Sequence, residues 1–241
     1  MLRVPVSELS VGEIVLDSRA SRYVARVHRR EVGDELLLFE PVLAREAVAT
    51  VLAVTREGVR CRVGTIRSAS VRASRSVTLV QGIGKGDKLD SVLRDATELG
   101  ATRIIAAETA RSQVKLAGGA EQRMRRLGRI AAEAARQCGR GDVPELVGPL
   151  SWDAALRLGA EPAGLLLCLW ERAVDPIAPK LRALGAQEPL VFAVGAEGGL
   201  DDAEIGVARS LGYAVVSLGP FILRTETVAA AVLGAALLTS A

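Results

Sequence analysis

Apolar and polar positions change rhythm partway along the chain. Up to about residue 66 the apolar residues come in short alternating or β-branched runs, at 13–17, 35–39, 47–54 and 59–63. Gly12, Gly33-Asp34, Pro41 and Glu57-Gly58 punctuate them, so the pattern predicts short strands joined by turns. Between them, residues 21–30 (SRYVARVHRR) set Val24 and Val27 at helical spacing among arginines. The expectation is a small β-barrel with one basic helix or loop. Residues 67–76 are poor in large apolar side chains. They mark a boundary, giving a first domain over 1–70, a linker over 71–76 and a second domain over 77–241.

From Val77 strands alternate with helices. Strands are predicted at 77–83, 103–107, 163–170, 189–194 and 213–218, and helices at 121–139, 176–184, 200–211 and 225–238. A further helix follows Asp87, its expected cap, with Leu89, Val92, Leu93, Ala96 and Leu99 at three- and four-residue steps and Gly100 as its stop. The run 163–170 is apolar throughout, as a parallel strand covered on both faces must be. The fold class is therefore α/β, a mostly parallel sheet with helices on both faces, preceded by the small β-barrel. Residues 227–238 are apolar almost all round, so this closing helix is expected to be buried on every side.

Composition narrows the class. With 49% hydrophobic and 24% charged residues in 241, a soluble globular protein is expected. The longest apolar run, 228–238, is too short for a bilayer, which needs roughly 20 residues, so no membrane partner is expected. The first residues lack an apolar signal segment. Cys61, Cys138 and Cys168 are odd in number and widely spaced. They read as buried, reduced thiols in a cytoplasmic protein, and with His28 as the single histidine no metal site is expected.

Charge is unevenly spread. Residues 1–75 carry thirteen arginines, no lysine and nine acids, whereas the remainder is close to neutral. Arg22, Arg26, Arg29 and Arg30 fit phosphate contacts, although a coding bias toward arginine would give the same count. Arg111 follows the second α/β strand. Arg136 and Arg140 end an arginine-rich helix that is either a solvated face or a face that tracks phosphates.

Two loops look built for a ligand. Gly195-Ala196-Glu197-Gly198-Gly199 follows one strand, and Leu218-Gly219-Pro220-Phe221-Ile222-Leu223-Arg224 follows another and opens the last helix. Both fall at carboxyl ends of strands, where open α/β sheets bind ligands. Glu197, Asp201, Asp202 and Glu204 crowd the helix start after the first loop and would repel a pyrophosphate. A phosphate-free adenosyl ligand such as S-adenosylmethionine suits that charge better than a dinucleotide. Gly82-Ile83-Gly84-Lys85-Gly86 matches neither GxGxxG nor Walker A and reads as a strand-to-helix turn.

The motifs in order resemble one family. Thr97-Glu98-Leu99-Gly100, Thr109-Ala110-Arg111-Ser112, the segment from Glu133 to Arg140 with Val143-Pro144, Val194 to Gly199, and Leu218-Gly219 with Leu223-Arg224-Thr225-Glu226-Thr227 are similar to motifs of SPOUT RNA methyltransferases of the RsmE type. The resemblance implies a SPOUT-type domain with a C-terminal trefoil knot, behind a PUA-like RNA-binding barrel. It implies methyl transfer from S-adenosylmethionine to N3 of a uridine in small-subunit ribosomal RNA. It implies cofactor contacts from Leu169, Trp170, Gly195, Glu197, Gly198, Gly199, Leu218, Gly219, Ile222 and Leu223, and catalytic roles for Arg224 and Glu226. A pair capping the last helix is the alternative for Arg224 and Glu226. The same resemblance implies a homodimer through the knot region and the closing helix. Ala196 and Asp95 depart from the family, which has proline and lysine there, and so do Ser21-Arg22-Tyr23 and Glu40-Pro41. An RNA-binding assembly factor of this fold without turnover, or a methyltransferase for another RNA, therefore stays open. A dinucleotide oxidoreductase is disfavoured by the missing GxGxxG.

Overall fold

The computed structural model describes residues 1–112, 120–161 and 163–238, and divides them into two compact units. The first comprises residues 1–72 and 132–143; the second comprises 73–131 and 144–241. Their division at Arg72/Ala73 falls inside 71–76. No sequence signal marked 132–143 as part of the first unit.

The first unit opens with β1 (Leu2–Pro5) and β2 (Gly12–Val15). Helix α1 (Ser18–Arg22) is capped by Asp17, whose carboxylate accepts from Ala20 N at 2.7 Å, and it runs on into a π-helical turn over Tyr23–Val27. Then come β3 (Glu35–Glu40), β4 (Arg45–Val54), β5 (Val59–Val63) and β6 (Arg67–Ser68). The sheet order is β1-β3-β4-β5-β2 with β6 on β4, and only β1–β3 is parallel. Strands β1 and β6 were absent from the sequence reading. LRVP and RS are too short to show a period. The buried core includes Val4, Val24, Leu36, Leu38, Val51 and Cys61.

The second unit contains β7 (Val77–Gly82), α2 (Lys88–Glu98), β8 (Arg103–Glu108), the larger part of α3 (Ala120–Cys138), β9 (Glu145–Ser151), α4 (Trp152–Gly159), β10 (Leu165–Leu169), α5 (Ala178–Ala183), β11 (Leu190–Val194), α6 (Asp202–Ser210), β12 (Ala214–Val216) and α7 (Thr225–Leu238). Its six strands are all parallel, in the order β12-β10-β11-β7-β8-β9. Every residue of β7 and β11 is buried, because helices cover both faces. Trp152, Leu156, Ile205 and Ala208 of α4 and α6 pack on Val80, Val191 and Ala193. Neighbouring positions in the strands point the other way, toward the side where α7 lies against α2 and β11.

Three expectations need correction. Asp87 stands at the cap position of α2, but its carboxylate makes no cap bond. Cys138 is exposed; Cys61 and Cys168 are buried, and all three are free. Helix α7 is not buried on every side. Ala229, Val232, Leu233 and Ala236 face the core, while Leu237 and Leu238 are 48% and 80% exposed. An all-apolar sequence gives no period from which a buried face can be chosen. Among the described residues no helix is long and apolar enough to cross a membrane.

Candidate active site

Loops after β10, β11 and β12, with the first residue of α2 and the first turn of α7, enclose a cavity of about 460 Å³ beyond the carboxyl ends of the sheet. Leu169, Trp170 and Glu171 come from the end of β10. The β11 loop contributes Val194 through Leu200, and the β12 loop contributes Ser217, Leu218, Gly219 and Phe221 through Arg224. Lys88, Thr225 and Val228 complete the wall.

The loops can meet because they are short of side-chain bulk. A Cβ on Gly82 would lie 2.3 Å from Ala196 N and 2.6 Å from Gly195 C, so only glycine lets β7 pass under the β11 loop. Gly199 turns the same loop at φ +71°, a left-handed conformation that glycine adopts without strain. The turn closes with Gly199 N donating to the Ala196 carbonyl at 2.9 Å.

Three ties hold this loop from outside. The Glu197 carboxylate accepts from Lys85 N at 3.0 Å and pairs with Lys88 Nζ at 2.9 Å. Partial burial opposes its charged form, but Lys88 and backbone N–H groups outweigh that and hold the carboxyl below the usual range. The Arg111 guanidinium donates to the Gly198 carbonyl at 2.8 Å. Glu204, buried, accepts from Ala110 N at 2.8 Å and from Asp201 N at 2.9 Å, the second bond completing a capping box with Asp201. The acids at this helix start are thus engaged, and even Asp202, with its side chain 81% exposed, lies 3.7 Å from the Arg172 guanidinium.

Two groups at the α7 entry are chemically available. Arg224 is exposed and its guanidinium makes no ion pair or hydrogen bond among the described residues. Glu226 is half-buried, and one carboxylate oxygen is shielded without a hydrogen-bond partner there. The Trp170 indole N–H is likewise shielded and unpartnered, with the Arg172 guanidinium 4.6 Å over its ring.

A model of the RNA methyltransferase domain matches residues 72–237. The chain belongs to this RNA methyltransferase family. Within it, the chain is 33% identical to the ribosomal RNA small subunit methyltransferase E of Mycobacterium tuberculosis over 226 residues, 92% of this chain and 84% of that protein. The Bacillus subtilis protein of the same name is 29% identical over 210 residues, 85% of this chain and 82% of that one. Among solved structures, a Legionella pneumophila protein in complex with bound cofactor SAM superposes with a TM-score of 0.87 at 30% identity, over 98% of this chain and 97% of that one. The Neisseria gonorrhoeae small subunit methyltransferase E bound to S-adenosyl methionine gives 0.85 at 27% identity, over 98% and 96%. These relatives identify the chain as an RsmE-type SPOUT methyltransferase of α/β fold.

Within this family member, all ten residues expected to contact a cofactor lie on the cavity wall, and so does Arg224. Glu226 is not on the wall but follows Thr225, which is. The basic residues divide. Arg22, Arg26 and Arg29 are exposed on the first unit, while Arg30 is half-buried and lies 3.7 Å from Asp34. Arg136, its side chain 11% exposed, is bonded to Glu133 and to the Tyr23 hydroxyl. That bond to Glu133 raises the arginine's pKa and lowers the glutamate's. Arg140 differs most from expectation. Its side chain is 5% exposed and clamped by Asp142 at 2.6 and 2.9 Å, so it braces its own unit and has little surface for phosphate. Arg111 supports the Gly198 turn. Lys88, Glu171 and Thr225 also line the cavity without having been expected there. Lys88 is the first residue of α2, just beyond the Gly82–Gly86 turn.

Proposed function

We propose that the chain transfers a methyl group from S-adenosylmethionine to N3 of a uridine in small-subunit ribosomal RNA. The observation that carries this reading is the cavity at the sheet's carboxyl edge. Its walls are apolar at Leu169, Leu218, Ile222 and Leu223, and its two carboxylates are each paired with a cation, Glu197 with Lys88 and Glu171 with Arg172. Such a lining fits an adenosyl group without phosphate. The relatives' names and bound SAM support the same donor and substrate class.

Backbone of Gly195–Gly199 and Leu218–Leu223, with Leu169 and Trp170, would hold the donor. S-adenosylmethionine supplies, when bound, a methyl group on a sulfonium that a nucleophile can take. The chain's own work concerns the uracil. Its N3 is protonated at neutral pH and must lose that proton to become nucleophilic. Glu226, half-buried beside Arg224 at the α7 entry, positions the base or accepts the proton. Arg224, free of any ion pair among the described residues, offsets the negative charge that develops on the ring. Arg22, Arg26 and Arg29 bind phosphate, and the first unit serves as the PUA-like RNA-binding barrel over 1–70. The linker is 71–76, and the SPOUT domain over 77–241 carries the trefoil knot.

The reading includes a homodimer. Phe221 and Ile222 are 79% and 85% exposed although they line the cavity, and Leu238 is 80% exposed. A second copy laid on α7 and this loop would cover them and close the cavity. The substrate puts the protein in the cytoplasm. The test is tritiated methyl transfer to small ribosomal subunits, with mass spectrometry of ribosomal RNA from cells lacking the protein. Wild type should incorporate label at one uridine, and Arg224→Ala should lower kcat by roughly 10²–10³-fold, as loss of one preorganised charge donor does. Binding of donor and RNA without incorporation would point to an assembly factor instead.

A further inference from the structure

Strand β7 reads Val-Thr-Leu-Val-Gln-Gly, and Gln81 is 1% exposed in a strand whose every position is buried. Its side-chain N–H donates to Thr225 Oγ1 at 2.8 Å and to the Gly82 carbonyl at 3.0 Å. The Thr225 hydroxyl in turn donates to the Gly195 carbonyl at 2.8 Å. The Gln81 side-chain carbonyl is shielded and has no partner among the described residues. A buried carbonyl left in that state has given up its water and gained nothing for it. Folding alone would favour leucine at this position, which suits the apolar run and fills a similar volume. The glutamine therefore serves something other than stability.

What it serves follows from the three elements it joins. Gln81 is the next-to-last residue of β7, Gly195 begins the β11 loop, and Thr225 is the first residue of α7, between Arg224 and Glu226. A threonine hydroxyl that accepts from one side and donates to the other is fixed in one rotamer. That in turn fixes the backbone from which both flanking side chains project. The Gly195 carbonyl at the far end of the relay fixes the loop on the donor side.

We propose that Gln81 is a positioning residue for methyl transfer, acting through Thr225 to hold the Gly195 loop in register with Arg224 and Glu226. The proposal rests on the methyltransferase reading above. Misplacement by about 1 Å at a reacting pair can lower a rate by about 10²-fold, so a relay of this kind controls kcat more than binding.

The test compares wild type with Gln81→Leu, Thr225→Val, Thr225→Ser and the double variant Gln81→Leu/Thr225→Val. Thermal midpoint, donor affinity by titration calorimetry, and kcat and KM on small ribosomal subunits are measured. Gln81→Leu is expected to keep or raise the midpoint, to change KM by less than about 3-fold and to lower kcat by about 10-fold or more. Thr225→Val should do the same, the double variant should be no worse than either, and Thr225→Ser should retain most of the rate. An unchanged kcat in Gln81→Leu, or losses that multiply in the double variant, would overturn the proposal. If Gln81→Leu does not fold, the Thr225→Val and Thr225→Ser pair decides, and equal rates there overturn it. Independently of turnover, the Gln81 side-chain amide protons should exchange slowly in the donor-free protein and rapidly in Thr225→Val. Rapid exchange in wild type also counts against the relay. A wild-type protein that neither binds donor nor transfers methyl would sink the methyltransferase reading, while the exchange measurement would still judge the relay.

Discussion

Glu197 shows how the neighbours of a single side chain add a role to the one its motif suggests. Its motif suggests a cofactor contact, yet its carboxylate is taken up by Lys85 N and Lys88. It acts as a latch between the β11 loop and the start of α2, so its charge matters through the loop. The carboxyl is held below its ordinary value of 4.5, which means the charged form is favoured by the folded loop. The latch is therefore fully present above that ordinary value and is lost as pH falls through the depressed one. Donor affinity, measured by calorimetry, should be insensitive to this group from pH 8 down to about 5 and weaken only below its ordinary range. Glu197→Gln keeps an acceptor for Lys85 N but drops the ion pair. Because that pair is about one-third exposed it is worth about 1 kcal/mol or less, so roughly a two- to five-fold loss of affinity is expected. The cysteines offer a second check at this scale. Burial pushes the Cys61 thiol to about 11 and the Cys168 thiol to about 12, whereas Cys138 is exposed. A thiol-reactive maleimide at neutral pH should label one cysteine per folded chain, identified as Cys138 by peptide mapping. Labelling of Cys168 before unfolding would contradict the packing of β10.

At the scale of elements, the glycines separate close approach from mere looseness. Gly82→Ala places a methyl 2.3 Å from Ala196 N, a backbone atom that cannot swing aside. The loop must shift, and overpacking of this kind costs about 1–3 kcal/mol, with donor affinity falling by about 10-fold or more. Gly206, exposed inside α6 with nothing within 4 Å of an added Cβ, is the control. Gly206→Ala should add up to about 1 kcal/mol of stability, read as a higher thermal midpoint, and leave donor binding unchanged. The contrast also shows what the sequence could reveal. Strands β7, β10 and β11 were legible because continuous apolar runs bounded by glycine have few other uses. The β11 loop was legible through its three glycines in five residues after an apolar strand, and the β12 loop through its place after the last strand and before the apolar closing helix. Strand β1 and the unexpected role of Arg140 were not, since each depends on a partner far along the chain. Leu2–Pro5 becomes a strand through its pairing with Leu36–Phe39, and Arg140 is withdrawn from solvent by Asp142 and by Arg3 donating to its carbonyl. Gln81 illustrates a third limit. A lone polar residue in an apolar strand signals importance, but only the relay to Thr225 and Gly195 says for what.

For the whole molecule, the decisive quantity is apolar surface that one chain leaves uncovered. Phe221, Ile222 and Leu238 are each about 80% exposed, and all belong to α7 or the loop that enters it. Scattered apolar residues need no explanation, but three large ones this exposed, at both ends of one apolar helix, are what a second copy laid along α7 would cover. The sequence hinted at this through an apolar closing helix. It could not say that Ala229, Val232, Leu233 and Ala236 pack inward while Leu237 and Leu238 stay exposed. If a second copy covers the patch, sedimentation equilibrium should give twice the 25.3 kDa chain mass. Leu238→Asp puts a charge at the end of α7 without touching the cavity wall, so it should shift the protein toward monomer. Ile222→Asp changes both the patch and the wall. Should donor binding fall in Leu238→Asp in proportion to the monomer fraction, the second subunit closes the cavity. A monomeric Leu238→Asp that binds donor with full affinity would mean that each chain holds the donor alone, and that the exposed loop serves RNA or another partner.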